Sequence, residues 1–474
     1  MKIKQRGAVQ TTATLNRGAI ASAAAVLMLT IGTIYSWGIF TQPLLAAFCW
    51  DLRVATGAYA TANFSLAAVG AVIGGFWQDR AGPRRVAMAG VTLWGLGNVL
   101  AGLGTATFGA PWLYATYGII GGIGAGMAYI TPLSMVTQWF PDKRGLAGGL
   151  VAGAFGLGAF LYNQVVPRLA GFQAAAAHAS GFIAAQAAAK AAGTRFDPAA
   201  LSAAQSFTAE NLAALMQVFV VSGIVFLVIG LAAASQFRNP PGQCLRGVSR
   251  ADAGYAPSQT IAMPQFYLLW LQLFVNVITG ITIISNAGFI LADLTQKSAA
   301  AIAPLFGLVS IFNALGRGVW GAISDRIGCR HTFAAMFALQ AVTLLLLAHT
   351  HTLLPALGEV SVILLCCGGG FGTMPSFNAQ CFGTKFMGLN YGLILSAWGF
   401  AGWIGPMLIA RAKDLTGSFS AAFPVMSAML AAAVILPYLT KKPAPASTAV
   451  TVPPAQHLSA AQSFGSALEI IRPL

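Results

Sequence analysis

Charge is what this 474-residue chain has least of. Asp, Glu, Lys and Arg together make up 8% of it, where a soluble domain carries about 25%. An ordinary water-soluble globular fold is excluded on that ground. Cysteines are also few, and Cys49, Cys244, Cys329, Cys366, Cys367 and Cys381 show no paired metal-ligand spacing, so neither a disulfide framework nor a zinc site follows. Strand-like alternation is missing as well. Stretches such as 338–347 and 218–234 are apolar on every side, which rules out an outer-membrane barrel of alternating segments about 10 residues long. What the chain has instead is apolar bulk, with 57% hydrophobic residues including 30 Phe and 10 Trp.

A bilayer core about 30 Å thick needs about 20 apolar residues per crossing helix. Marking such runs between charges, turns and Pro/Gly clusters predicts an all-α membrane protein of twelve transmembrane helices, over 20–47, 56–77, 86–108, 111–137, 145–170, 214–236, 264–292, 301–322, 332–350, 353–380, 388–410 and 419–439. The first run is too long for the apolar core of a cleaved leader and reads as a helix that stays. With the N-terminus inside, eighteen basic residues fall on the inner side and seven on the outer, the asymmetry of cytoplasmic loops facing an anionic leaflet. A bacterial inner membrane with both termini in the cytoplasm is expected. The formal net charge of +15 is spread over these short loops, so nucleic acid is not the expected partner and the lipid bilayer is. The Ala-rich outer segment 172–213 reads as a surface helix or flexible insert. The Pro-, Ala- and Ser-rich tail 441–474 reads as disordered.

The chain repeats itself. GGFWQDRAGPRR from Gly74 and GAISDRIGCRH from Gly321 set Asp79, Arg80, Gly82 and Arg84 against Asp325, Arg326, Gly328 and Arg330 at a constant offset of 246. A second set at an offset of 243 pairs Pro132 with Pro375, Gly149 with Gly392, and AFGLG at Ala154 with AWGFA at Ala397. Two six-helix halves follow, 1–236 and 264–440, joined by a linker at 237–263. Parallel halves of this kind are the architecture of secondary transporters that expose a midplane site alternately by rocking. In DRxGxR the Asp can pair with helix termini and with Arg residues of the same half, the Gly permits a tight turn, and the Arg residues sit at the anionic surface. The motif resembles the loop signature of the major facilitator superfamily and occurs twice at matching positions, which implies that fold.

One basic residue belongs to neither face. Arg317, in SIFNALGRGVWG, falls within the eighth apolar run, and a cation there costs about 2.5 to 3.5 kcal/mol on insertion scales and usually faces a cavity. One reading places it in the loop network with Asp325. The other makes it an anion clamp, because the guanidinium fork matches a carboxylate with two parallel hydrogen bonds. Asn313, one turn earlier on the same face, can orient it or bind a second substrate oxygen. Every acidic residue lies in a loop, a tail or a helix edge, Asp293 and Glu359 included. Asp293 is expected to pair with Lys297 at i+4 spacing. A lone cation without a counter-charge points to a small organic anion as substrate. Neither a metal site nor a catalytic constellation emerges, so an enzyme is not expected, nor is a cofactor.

The segments TIYSWGIFTQPL, GIGAGMAYITP, TQWFPDKRGLAGGLVAGAFGLGA, NALGRGVWGAISDRIG, GTMPSFNAQCFG and NYGLILSAWGFAGWIGP resemble those of the oxalate/formate antiporter family, which includes bacterial monocarboxylate-transporter-like members. The resemblance spans helices one to eleven and implies that Arg317 is the substrate-binding arginine with Asn313 beside it. It also implies that Tyr35 and Tyr129 line the cavity. Oxalate exchangers of this family carry a second cation, a Lys, where this chain has Trp398. A dicarboxylate facing one cation leaves a charge unpaired, so a monocarboxylate such as formate, lactate or pyruvate fits better. Trp398 aligns with Phe155 across the repeat, and the pair is expected to close the cavity with aromatic faces. The expected function is alternating-access transport of such an anion by a monomer, with proton symport as the coupling. Oxalate:formate-type exchange is the alternative, and a non-transporting membrane sensor is the alternative of another class.

Overall fold

The computed structural model describes residues 17–192, 207–240, 254–296, 309, 311–416 and 419–443, and every regular element among them is helical. The N-terminal tail, the linker core at 241–253, Lys297 and the tail beyond 443 lie outside the described residues. Ten helical stretches among the described residues are long and apolar enough to cross a membrane. One of them, Pro83–Trp139, turns back on itself at Gly109, whose φ of 68° suits glycine, and so contributes two spans. The helix Ile311–Ile327 adds a further one. Twelve spans result among the described residues, in the positions expected from the apolar runs.

Their boundaries differ from expectation in an instructive way. The polar stretches taken as linkers around the two DRxGxR motifs are helical up to a single residue. The second span ends at Ala81 and the third starts at Pro83, while the eighth ends at Ile327 and the ninth starts at Cys329. Gly82 and Gly328 alone make the turns, with φ of 80° and 84°, a region in which a Cβ is strained. The outer segment contains a helix, Ala170–Ala191, whose Phe172 meets Phe40 of the first span at 5.6 Å between centroids. At the start of the seventh span the short helix Pro257–Ala262 precedes Pro264–Thr295. Asp293 near that span's far end accepts from the Phe419 N–H at 3.2 Å. Glu359 in the tenth span accepts from the Thr350 hydroxyl at 2.9 Å.

Within the membrane the halves meet through glycine. The second span packs on the eleventh, Met387–Thr416, and the fifth, Arg144–Val165, packs on the eighth. A β-carbon on Gly75 would collide with the Gly388 carbonyl, and one on Gly149 with the Arg317 carbonyl. Lipid tails are as apolar as leucine, so such helices associate by close backbone approach rather than by hydrophobic burial. Gly149→Leu is therefore expected to weaken the closed contact by about 1–3 kcal/mol, the usual cost of overpacking. Maleimide labelling of Ser324→Cys, a position now buried beside this contact, should rise in that variant; unchanged labelling would count against the contact.

Candidate functional site

Arg317 is fully buried, and its guanidinium is held from both halves. Nη1 donates to the Ala152 carbonyl of the fifth span at 3.0 Å, and Nη2 to Asn313 Oδ1 at 3.3 Å. Nε has no hydrogen-bond partner. The central carbon lies 5.2 Å from the Phe155 ring centroid and 4.8 Å from that of Phe371, within cation–π range. Asp325 is not its partner, which removes the loop-network reading. The glycine contacts give the reason for its place: Gly149 from the fifth span and Gly372 from the tenth, Leu353–Phe382, both press on the Arg317 carbonyl. In the other half, Gly392 presses in the same way on the carbonyl of Ala71. Arg317 and Ala71 are thus counterparts across the repeat, and the cation exists in one half only.

The expected aromatic residues gather around it. Trp398 stands 5.4 Å from Tyr129, 5.9 Å from Tyr35 and 6.0 Å from Phe155 between ring centroids. Phe155 in turn meets Tyr35 at 5.0 Å and Tyr129 at 5.3 Å, both edge to face. Tyr129, Phe155 and Trp398 are completely buried, and Tyr35 is partly so. Tyr35 sits in a tightened 3-10 turn, Thr33–Ser36, that interrupts the first span. All six residues expected at the site are therefore in one cluster. The cluster also includes residues that the sequence reading passed over: Phe371, which bridges Arg317 and Trp398 with a 5.1 Å contact to the latter, and the Ala152 carbonyl.

Polar atoms in this cluster are left open. Besides Arg317 Nε, the Trp398 indole nitrogen is buried without a hydrogen-bond partner, and the Tyr129 hydroxyl lies against the Arg317 guanidinium. An unsatisfied buried donor costs about 1–3 kcal/mol, and Arg317 Nε with the Trp398 indole nitrogen leaves two donors in this cluster free for an acceptor. Guanidinium and indole nitrogens only donate, which suits a carboxylate and leaves a cation without an acceptor. No group of three or more His, Cys, Asp or Glu that could hold a metal stands among the described residues.

The two DRxGxR motifs meet at one end of the bundle, and their carboxylates reach across the halves. Asp79 accepts from the Gly388 and Leu389 N–H groups, at 3.0 and 2.9 Å, at the start of the eleventh span. Asp325 accepts from the Gly145 and Leu146 N–H groups, both at 2.8 Å, at the start of the fifth. The expected pairing with a helix terminus holds, but the terminus belongs to the opposite half, and the N-terminal end of a helix dipole favours the negative charge. Arg80 lies over the Phe76 ring, 3.5 Å from its centroid. Arg84 is exposed and Arg330 is partly buried. A polar cavity of about 470 Å³ borders the Asp325 contact, lined by Asp142, Arg144, Ser324, Arg326, Ser376 and Gln380 among others.

Residues 20–406 match the profile of the Major Facilitator Superfamily. The chain is 27% identical over 386 residues to the oxalate:formate antiporter of Oxalobacter formigenes, covering 79% of each chain. It is 28% identical over 397 residues to apicoplast pyruvate carrier 1 of Toxoplasma gondii, covering 74% of this chain and 69% of that one. Among solved structures it resembles the E. coli fucose:proton symporter with a TM-score of 0.65, over 89% of this chain and 98% of that one, at 13% identity.

Proposed function

Because this chain belongs to the Major Facilitator Superfamily and is a multi-pass membrane transporter rather than an enzyme, we propose that it carries a small organic monocarboxylate of the formate, lactate or pyruvate type by alternating access. The observation that carries this reading is Arg317: one buried cation with neutral hydrogen-bond partners and two aromatic faces. A monoanion cancels its charge one for one. The carboxylate takes Arg317 and the Tyr129 hydroxyl, Asn313 holds the guanidinium in place, and Tyr35, Phe155 and Trp398 enclose a short apolar substituent. The relatives named above handle oxalate and formate or pyruvate, which are acids of this size. The DRxGxR end is read as cytoplasmic and the membrane as a bacterial inner membrane, on the charge asymmetry of the loops. A monomer is the working unit.

For net uptake the proposed coupling is to protons: a proton entering with the anion offsets the charge that the empty protein carries back, so the whole cycle moves neutral acid. A second reading, exchange of one monoanion for another, is favoured by the neutral partners of Arg317, since in exchange the halves rock only while the guanidinium is paired. Uptake of labelled lactate, pyruvate, formate and oxalate into proteoliposomes separates these. Monocarboxylate uptake driven by an inward proton gradient supports symport, and uptake only into preloaded vesicles supports exchange. Oxalate transport without any monocarboxylate transport would sink the proposal. Trp398→Lys should bring the second cation that a dicarboxylate needs: oxalate uptake is expected to appear in this variant while lactate uptake falls, because a monoanion then leaves one of two buried cations unpaired.

A further inference from the structure

Between Arg317 and the closed loop end lies a layer that no part of this reading uses. Arg317 precedes Asp325 by eight residues, about 12 Å of helix, whereas Tyr391 follows Gly388 by three, about 4–5 Å. Asp325 and Asp79 mark the same end of the bundle, so Tyr391 sits on the loop side of Arg317. It is seven residues before Trp398, two turns along the same helix face, and so points toward the same central path. Asn378 stands in the same relation to Phe371 on the tenth span. Its Nδ2 donates to Met387 Sδ at 3.0 Å, and Met387 is one turn from Tyr391 on that face. The fourth, tenth and eleventh spans touch one another in this region, and Gln138 Nε2 closes the end by donating to the Thr384 carbonyl at 3.3 Å.

Tyr391 and Asn378 are both completely buried, and the Tyr391 hydroxyl and Asn378 Oδ1 have no hydrogen-bond partner. A layer whose only task is to shut would do so better with apolar side chains, since each open polar atom weakens the closed state. We propose that Tyr391 and Asn378 form a second, transient station for the substrate carboxylate, occupied when the halves part at the DRxGxR end; this rests on the monocarboxylate reading of the Arg317 site. The Tyr391 hydroxyl is an open neutral donor, and the Asn378 NH2, held now only by the weak Met387 sulfur acceptor, is a second that opening releases. Asn378 Oδ1 only accepts and takes no part. Neutral donors hold a carboxylate more weakly than a guanidinium does. A transport path needs steps that bind enough to receive an ion and too little to keep it. Arg317, Asn378 and Tyr391 all belong to the C-terminal half, so the anion gives up only its Tyr129 contact when it passes from one station to the next.

The test compares wild type, Tyr391→Phe and Asn378→Leu, each measured for lactate Kd in nanodiscs and for lactate counterflow in proteoliposomes. Each variant is expected to keep its Kd within about twofold, because Arg317 is intact, while counterflow slows about tenfold, the worth of one hydrogen bond of about 1.4 kcal/mol. The double variant should be slowed little more than either single one, as for residues that act as one unit. Wild-type counterflow in both variants would overturn the station. Kd weakened in proportion to counterflow would also overturn it, by placing Tyr391 inside the Arg317 site. Absence of monocarboxylate binding to the wild type, with oxalate bound instead, would overturn the underlying reading and the station with it.

Discussion

Arg317→Ala is expected to abolish transport and to weaken monocarboxylate binding by at least about 100-fold, since removing one partner of a buried charge pair costs about 3–5 kcal/mol. The same position carries an opposite expectation for the empty protein. There the guanidinium is a buried cation whose hydrogen bonds go to Ala152 and Asn313, both neutral. A side chain of similar length without charge, as in Arg317→Met, should therefore raise the melting temperature while losing the further rise that substrate gives the wild type. Arg317→Lys separates charge from shape: it keeps the cation but cannot span Ala152 and Asn313 with one planar fork, and an intermediate affinity is expected. Thermal shift with and without lactate reads all three variants. Substrate-induced stabilisation that survives in Arg317→Met would refute the clamp.

Replacing both latch carboxylates, Asp79→Asn with Asp325→Asn, should have the second large effect. Each carboxylate accepts from two backbone N–H groups at a helix start, one on each oxygen, and Asn keeps an acceptor for one of them while turning an NH2 toward the other, which costs about 1.4 kcal/mol. That is about tenfold per latch and about a hundredfold for the pair in the balance between closed and open loop ends. Spin labels at Asp142 and Arg326, which face one cavity from the two halves, report the separation. The double variant should shift the distance distribution to longer values, with each single variant between it and the wild type. An unchanged distribution in the double variant would mean that the glycine contacts hold this end closed unaided.

Much of this arrangement was readable from residue spacing. The offset of 243 set Phe155 against Trp398, and their rings do meet. The offset of 246 picked out Asp79 and Asp325 as equivalent, and they make equivalent bonds. Their partners were not readable, because a bond to a backbone N–H leaves no signature in a side chain and any residue but proline at 145 or 388 supplies one. The Ala152 carbonyl was hidden for the same reason. Phe371 had a signal that went unused: it stands in the run Gly368–Gly372, whose glycines admit the eighth span's backbone, so a large side chain within that run is carried toward Arg317. The loop lengths misled because polarity was taken to mean coil, whereas Arg and Gln at a helix end remain helical while reaching for the surface.

The one-sidedness of the charge, Arg317 in one half and Ala71 at its counterpart, has an electrical consequence. Any displacement of the empty protein's site relative to the membrane moves a net positive charge through the field, worth about 2.3 kcal/mol for a full crossing at 100 mV. With a monoanion bound and no proton beside it, the same displacement moves none. A membrane potential therefore biases which face the resting protein presents, and pre-steady-state currents should accompany the empty protein's rearrangement; saturating substrate abolishes them if the monoanion is exchanged alone and leaves them if a proton travels with it.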